Sequence, residues 1–315
     1  MGSTATPAHG FEPAYVRLLA TGELDERARR AAQHLTACDL CARHCRVNRL
    51  ESTRGAVCRT GALARVHAAF PHFGEESCLT GWAGSGTIFF SWCNLRCVFC
   101  QNWEISWAGE GRDVGPERLA ELMLSLQREG CHNINLVSPS HVVAQILEAL
   151  PVAARAGLRL PLVYNSGGYD SPEALALLDG VVDIYMPDMK YADGAHARRY
   201  SSVPDYVAVN RAAVREMHRQ VGDLVLDEQG LARRGLLVRL LVLPNDLAGA
   251  AATLRFIAEQ LSPDTFVNLM GQYRPCFRAE EHEALARRPT AEELHAARES
   301  ARRAGLRRLD PHSAR

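Results

Sequence analysis

Three cysteines lie close together in the chain, at Cys93, Cys97 and Cys100, with the spacing C-x3-C-x2-C. Thiolates at this spacing can ligate three corners of a cubane iron–sulfur cluster, and no fourth cysteine follows nearby. The fourth iron would be open to bind a small molecule and pass it an electron, which indicates a catalytic centre. A zinc site and unliganded thiols are the alternatives, although zinc sites usually pair C-x2-C with a second, distant pair.

A second group of cysteines precedes the first, at Cys38, Cys41, Cys45 and Cys58. Four thiolates can close a tetrahedral zinc site or fully ligate an iron–sulfur cluster. Either metal would hold together a segment that has little apolar core of its own. Unliganded thiols are the alternative, and His44 could replace one cysteine. The cysteine spacing alone fits both a zinc ion and an auxiliary iron–sulfur cluster.

Composition limits the class of protein. A chain of 315 residues with 47% hydrophobic and 23% charged residues is typical of a globular enzyme. A formal net charge of zero argues against a nucleic acid or a membrane surface as partner. No apolar run approaches the ~20 residues of a membrane helix, and Met1–Gly10 lacks the pattern of a secretory signal. Ten cysteines without an export signal favour reduced, metal-binding thiols in the cytoplasm.

Strands and helices alternate from about residue 81 onward. Short runs rich in Val, Ile, Leu and Phe predict strands that are buried on both faces. Amphipathic patterns between them predict helices, so we expect parallel βαβ units and an α/β fold, namely a partial (βα)6 barrel. A doubly wound open sheet is the alternative, but no G-x-G-x-x-G follows the first strand. The predicted strands are Thr87–Trp92, Asn133–Val137, Leu162–Asn165, Val182–Met186, Leu236–Leu243 and Phe266–Met270.

The pattern divides the chain into three predicted segments. Residues 1–80 form a helical and cysteine-rich N-terminal extension, residues 81–280 form the barrel, and residues 281–315 form a helical tail that frays from Pro311. Active sites of such barrels lie at the C-terminal ends of the strands. The residues that follow the six strands include the cysteine triad, Ser138 and His141, Asn165 and Gly167, Asp188 and Lys190, Pro244 and Asn245, and Gln272, Tyr273 and Arg274.

Several stretches together resemble the radical S-adenosylmethionine (SAM) superfamily, in a branch related to pyruvate formate-lyase activating enzyme. The resemblance spans roughly residues 35–280. It implies a partial (βα)6 radical SAM barrel, a [4Fe–4S] cluster and SAM as cofactors, and an electron donor such as flavodoxin or ferredoxin. The matching stretches are Cys38–Arg49, Gly74–Glu76, Gly84–Gln101, Asn133–His141, Tyr164–Asp170, Asp183–Tyr191, Arg239–Asn245 and Asn268–Pro275.

The resemblance also assigns expected roles to individual residues. Cys93, Cys97 and Cys100 correspond to the cluster ligands, and Phe99 corresponds to an aromatic residue beside the adenine of SAM. The remaining expected contacts to SAM come from residues after the third and fourth strands and from an arginine within the fifth strand. A structural ion pair is the alternative role for Asp188, Lys190 and Arg239. The full set of expected contacts is Asn165, Gly167, Gly168, Asp188, Lys190 and Arg239.

Two departures from the family pattern stand out. The family usually has glycine before the first cluster cysteine, where this chain has Trp92. A bulky side chain there either reshapes the substrate entrance or packs against the cluster. The usual Gly-Gly-Glu-Pro motif after the second strand is replaced by Ser138-Pro139-Ser140-His141.

The resemblance implies hydrogen-atom abstraction by a 5′-deoxyadenosyl radical. Our first hypothesis is an enzyme that modifies a small, carbohydrate-like natural product, for example by epimerisation. Such a reaction needs a hydrogen donor, for which Cys276 and Tyr273 are the candidates. The alternatives are an activating protein for a glycyl radical enzyme and a non-catalytic electron carrier. The missing fourth cysteine disfavours the electron carrier.

Overall fold

The computed structural model describes residues 11–313. Met1–Gly10, the stretch judged from sequence not to be a secretory signal, lies outside the described residues. The strands are β1 Ala64–His72, β2 Ser85–Phe90, β3 Arg112–Val114, β4 Ile134–Val137, β5 Leu162–Ser166, β6 Ile184–Pro187, β7 Val225–Leu226, β8 Ala232–Leu241, β9 Phe266–Met270 and β10 Arg308–Leu309.

The helices lie mostly between these strands. Several begin with proline in the first turn, as α5 and α7 do, because proline is compatible with the first helical position. The helices are α1 Ala14–Thr21, α2 Glu23–Gln33, α3 Ser77–Thr80, α4 Trp103–Ser106, α5 Pro116–Arg128, α6 Val143–Arg155, α7 Pro172–Leu178, α8 Gly194–Ser201, α9 Tyr206–Val221, α10 Ala250–Gln260 and α11 Ala291–Ala304. Short 3-10 helices add His34–Ala37, Pro139–His141, Pro244–Asp246, Ala279–Glu281 and Glu283–Leu285.

One twisted sheet carries the fold, with the strand order β10-β9-β8-β6-β5-β4-β2-β1-β3. The strands β2, β4, β5, β6, β8, β9 and β10 are parallel neighbours, whereas β1 runs antiparallel to β2 and β3 antiparallel to β1. All six predicted strands are therefore confirmed in their predicted order. The fold is a mixed α/β architecture consistent with a radical SAM partial barrel.

Both faces of the central strands are buried, as their continuous apolar sequences predict. In β5, Leu162 and Tyr164 join the large core under the helices, whereas Val163 joins a smaller core inside the curved sheet. Leu79 of α3 packs into the same inner core. Because successive side chains of a strand point to opposite faces, one strand serves both cores. Helix α3 thus contributes to the inner core at the end of the sheet where β2 begins.

The N-terminal extension and the barrel share a sheet. Strand β1 pairs with β2 in the register Ala69↔Ile88, and helix α2 packs against α6. The boundaries of the three predicted segments stay a prediction.

The C-terminal tail contains a short strand that the sequence pattern did not predict, and the expected fraying from Pro311 stays a prediction. After α11 the chain forms β10, which pairs with β9 through Leu309↔Val267. Asp310 is buried, and the Ser313 hydroxyl oxygen accepts a hydrogen bond from the Leu269 backbone N–H at 3.0 Å. Sequence reasoning missed this strand because two residues carry no detectable alternation.

Candidate active site

A cavity of about 160 Å³ lies at the C-terminal ends of the parallel strands. The loop after β2 contributes the cysteine triad, and the ends of β5, β6 and β8 contribute polar side chains. Gly167 approaches the cavity closely, since a Cβ atom there would lie 2.7 Å from the Leu95 side chain. The predicted site residues that line the cavity are Cys93, Cys97, Cys100, Asn165, Gly167, Asp188, Lys190 and Arg239.

Each sulfur of the triad has a hydrogen-bonding partner. The Leu95 N–H donates to Cys93 Sγ at 3.4 Å, and the Ser201 hydroxyl donates to Cys97 Sγ at 2.9 Å. Cys100 Sγ lies 3.1 Å from the Ser106 hydroxyl oxygen. Donors directed at sulfur stabilise a thiolate and tune a metal centre that the thiolate holds.

Burial raises the pKa of Cys93 to about 12 and also raises the pKa of Cys100. These side chains are therefore thiols when nothing is bound, and binding of a positively charged metal centre must release protons. The three thiols, their hydrogen-bonding partners and the adjoining cavity fit a cluster with one open iron. Within residues 11–313, no three His, Cys, Asp or Glu side chains are placed to hold a single metal ion.

A buried charge network lies beside the triad. Asp188 accepts hydrogen bonds from Lys190 Nζ at 2.6 Å and from Arg239 Nε at 3.0 Å. Arg239 Nη2 also donates to Asn165 Oδ1 at 2.6 Å. Burial alone would raise the pKa of Asp188, but the two cations outweigh it and hold the pKa below its usual value. Burial would likewise lower the pKa of Lys190, but the Asp188 carboxylate reverses this and raises it.

Glu75 completes the network, and sequence reasoning assigned it no role. Its Oε2 lies 3.3 Å from Arg239 Nη1, and its side chain is only 8% exposed. Burial alone would raise the pKa of Glu75, but the neighbouring His72 and Arg239 outweigh burial and hold the pKa below its usual value. The Gly74–Glu76 stretch is one of those that resemble the family. Only the folded structure shows that this turn contacts Arg239 of β8.

Several predicted residues lie outside the cavity lining, among them Gly168, Phe99, Tyr273 and Cys276. The Phe99 ring is buried and packs edge-on against the rings of Tyr191 and Tyr273, at centroid distances of 6.4 and 6.0 Å. The Tyr273 hydroxyl donates to the Leu285 carbonyl at 2.7 Å. Cys276 is partly buried in the loop after β9. The roles predicted for Phe99, Tyr273 and Cys276 stay predictions.

Trp92 packs away from the cavity. It takes a left-handed backbone conformation with φ 67°, which is unusual for a bulky residue. The family glycine at this position would adopt that conformation without strain. The Trp92 ring lies beside the Gly109 backbone, and the Arg59 guanidinium sits 5.3 Å from the ring centroid.

Gly109→Ala should destabilise the protein by about 1–3 kcal/mol beyond the cost of its positive φ. A Cβ atom at Gly109 would lie 2.2 Å from the Trp92 ring, so the packed ring must move. Gly157→Ala is the matched control, because Gly157 also has positive φ but no atom within 4 Å of the added Cβ. Urea denaturation measures the free energy of unfolding of both variants. In a Trp92→Ala background the excess cost should vanish, and an undiminished cost there would contradict the contact.

The four N-terminal cysteines line a separate, enclosed pocket. His141 lines this pocket and not the cavity beside the triad. His44, considered as a replacement ligand, instead lies 3.6 Å from the Glu173 carboxylate and is 42% exposed. Of the residues replacing the family's Gly-Gly-Glu-Pro motif, Ser138 does line the cavity, with φ 59°.

No helix among the described residues is long and apolar enough to cross a membrane. Residues 87–221 match the family model of the radical SAM superfamily. The chain is 33% identical over 293 residues to a Methanocaldococcus jannaschii protein named "Uncharacterized protein MJ0674", covering 90% of this chain and 79% of that protein. A radical SAM methyltransferase from Sphaerobacter thermophilus is similar in structure, with a TM-score of 0.48 and 13% identity over 71% of this chain and 64% of its own.

The family match covers β2 through α9, which is the part of the chain that carries the triad and the Asp188–Lys190 pair. The narrower relation to pyruvate formate-lyase activating enzyme stays a prediction. With this family match and the 33% identity over 79% of the Methanocaldococcus jannaschii protein, the chain belongs to the radical SAM superfamily.

Proposed function

We propose that this radical SAM enzyme binds a [4Fe–4S] cluster through Cys93, Cys97 and Cys100 and abstracts hydrogen from a small, carbohydrate-like natural product. The observation that supports this is the shared cavity, in which the three thiols lie beside Lys190 and Arg239. When bound, the cluster and SAM together supply a 5′-deoxyadenosyl radical that removes a hydrogen atom.

The charged residues of the cavity suit the methionine end of SAM. Lys190 and Arg239 contribute two positive charges and Asp188 one negative charge to the lining. Glu75 also pairs with Arg239, so the network as a whole carries no net charge. The Lys190 and Arg239 side chains line the cavity whereas Glu75 does not, so the two cations can contact a carboxylate there, and the buried setting strengthens such a contact relative to water. Asn165 fixes the Arg239 guanidinium from the opposite side. These side chains orient the bound cofactor and hold it close to the thiols.

The apolar part of the lining excludes water. The apolar residues of the lining are Phe89, Phe90, Leu95, Ile105 and Val137. A reactive radical requires such a shielded site, because the protein must bring one C–H bond close while keeping competing reactants away. The proposed reductant is a one-electron carrier such as flavodoxin or ferredoxin.

An assay carried out without oxygen tests this proposal. The protein is reconstituted with iron and sulfide, mixed with SAM and a strong reductant, and assayed for 5′-deoxyadenosine by mass spectrometry with and without candidate sugars. We expect 5′-deoxyadenosine, and an increase with the true class of substrate. A fully loaded cluster whose spectrum does not change with SAM would contradict the proposal.

Cys276→Ala tests the epimerisation hypothesis. The Arg278 N–H donates to the Val98 carbonyl at 2.9 Å, so the loop that carries Cys276 is attached to the cysteine triad loop. If the Cys276 thiol donates the returning hydrogen, the variant should still form 5′-deoxyadenosine but lose the epimerised product. Unaltered product formation in this variant would exclude Cys276 as the donor. Cys78→Ala is the matched control, because Cys78 is buried in the inner core.

A further inference from the structure

The segment between the 3-10 helix His34–Ala37 and β1 is a long stretch without regular secondary structure. Loops longer than about 12–15 residues without secondary structure are uncommon in compact domains. This one is nevertheless packed, with Cys38, Cys41 and Cys58 buried. Backbone hydrogen bonds close its first turns, since the Arg46 N–H donates to the Cys38 carbonyl at 2.9 Å. Something besides secondary structure must hold this segment.

The four cysteines of this segment surround one enclosed pocket. All four are free thiols, so no disulfide supplies the missing constraint. Thiols gathered from both ends of an irregular segment are the arrangement that thiolate-bound metals use in small folds. Holding a single ion would require at least one of these side chains to rotate, given the placement of ligand groups among the described residues. A cubane cluster accepts more widely spaced sulfurs, because its irons lie apart.

A buried cation faces the same pocket. Arg49 is 2% exposed and lines the pocket with the cysteines. Its guanidinium donates to the Thr60 and Gly61 carbonyls, and Arg49 Nη1 lies 3.5 Å from Cys38 Sγ. No carboxylate partner of Arg49 occurs within residues 11–313. A buried guanidinium is costly without a negative partner. A metal centre held by four thiolates carries net negative charge and would supply that partner.

His141 provides an independent observation. It is 1% exposed, and its Nε2 lies 2.9 Å from the Ser91 carbonyl oxygen. A carbonyl oxygen only accepts, so Nε2 carries the proton and Nδ1 carries a lone pair. This Nδ1 is buried and has no hydrogen-bonding partner among the described residues, while the ring lines the cysteine pocket. An unpartnered imidazole lone pair in a dry site is costly, and a metal ion is one partner that satisfies it, so His141 can occupy a coordination position that one of the thiolates does not fill.

We propose that Cys38, Cys41, Cys45 and Cys58 bind a second metal centre through their thiolates, with Arg49 and His141 in its immediate surroundings. The centre is a zinc ion or an iron–sulfur cluster, because thiolates bind both. This inference does not depend on the substrate proposed above.

The second centre would support the cysteine triad through direct contacts. Arg43, which lies between two of the four cysteines, donates from Nε to the Asn94 carbonyl at 2.7 Å. In the opposite direction, Arg96 of the triad loop donates from Nη2 to the carbonyl of Val57, the residue before Cys58. Metal binding at the four cysteines thus stabilises the backbone that carries Cys93 and Cys97.

The experiment removes the first site and analyses the second. A Cys93/Cys97/Cys100→Ala variant of the full chain is loaded anaerobically with iron and sulfide, and separately with zinc. Metal and acid-labile sulfide are then measured per chain. We expect one zinc ion, or iron and sulfide equivalent to one cluster with visible absorbance. Zinc retained without sulfide identifies the single-ion form, and iron with sulfide identifies the cluster.

Two further measurements make the result specific to these four thiols. Adding Cys38→Ala and Cys41→Ala should remove the metal, whereas adding Cys78→Ala and Cys131→Ala should leave it. In the loaded triad variant, alkylation followed by mass spectrometry should show the four cysteines protected until a chelator is added, with Cys276 labelled throughout. A folded triad variant that binds neither metal, or four thiols that alkylate as readily as Cys276 after loading, would overturn the proposal.

Discussion

Cys97→Ala should reduce 5′-deoxyadenosine formation to the background of the assay. Cys97 is the middle cysteine of the triad, and its sulfur accepts a hydrogen bond from the Ser201 hydroxyl at 2.9 Å. Ser201 in turn lies 2.7 Å from the Tyr191 hydroxyl, so a buried chain of hydroxyl groups ends at this sulfur. Alanine removes one of three cluster ligands and leaves no other thiol in the cavity to replace it. The readouts are iron content, visible absorbance and 5′-deoxyadenosine by mass spectrometry.

The control for this substitution is Cys131→Ala, which removes a buried thiol far from the cavity lining. It should retain wild-type cluster content. Ser201→Ala offers a graded comparison, because loss of a hydrogen bond to a metal ligand typically costs about 10–100-fold in affinity or activity. Wild-type 5′-deoxyadenosine formation by Cys97→Ala would exclude the triad as the cluster site.

Arg239→Leu should lower the free energy of unfolding by about 3–5 kcal/mol. The guanidinium is buried among Asp188, Glu75 and Asn165, with the side chain of Arg239 only 17% exposed. Leucine fills much of the space but leaves Glu75 with only His72 and Asp188 with only Lys190. Breaking a buried ion pair by removing one partner strands a charge in a medium that solvates it poorly. Urea denaturation at neutral pH measures the loss.

The matched control is Arg219→Leu. Arg219 also contacts two carboxylates, those of Glu216 and Asp179, but its side chain is 60% exposed. Exposed ion pairs are screened by water and contribute little, so this variant should unfold at the wild-type midpoint. Arg239→Lys separates charge from geometry, because lysine cannot make the three directed contacts of the guanidinium. Equal effects at Arg239 and Arg219 would contradict the importance of burial.

Local sequence determined the strand–helix alternation and the chemistry of the triad. Each inner strand is a short apolar run, because a strand buried on both faces needs apolar residues at every position. The thiol spacing likewise lies within eight residues, so its chemistry is readable without a fold. The clustering of Asn165, Asp188 and Lys190 at one end of the sheet followed from the rule that parallel strands place their C-terminal ends together, whereas Arg239 was expected there only from the family resemblance.

Contacts between distant segments required the tertiary structure. Glu75 lies far from Arg239 in the chain, and no local pattern pairs them. Strand β10 is too short to show alternation and exists because β9 offers an edge to pair with. Trp92 was expected at the substrate entrance or against the cluster, but its ring packs beside Gly109 and Arg59 and does not line the cavity. His141 was expected beside the triad, but its side chain joined the four-cysteine pocket because side-chain direction depends on neighbouring backbone that sequence does not specify.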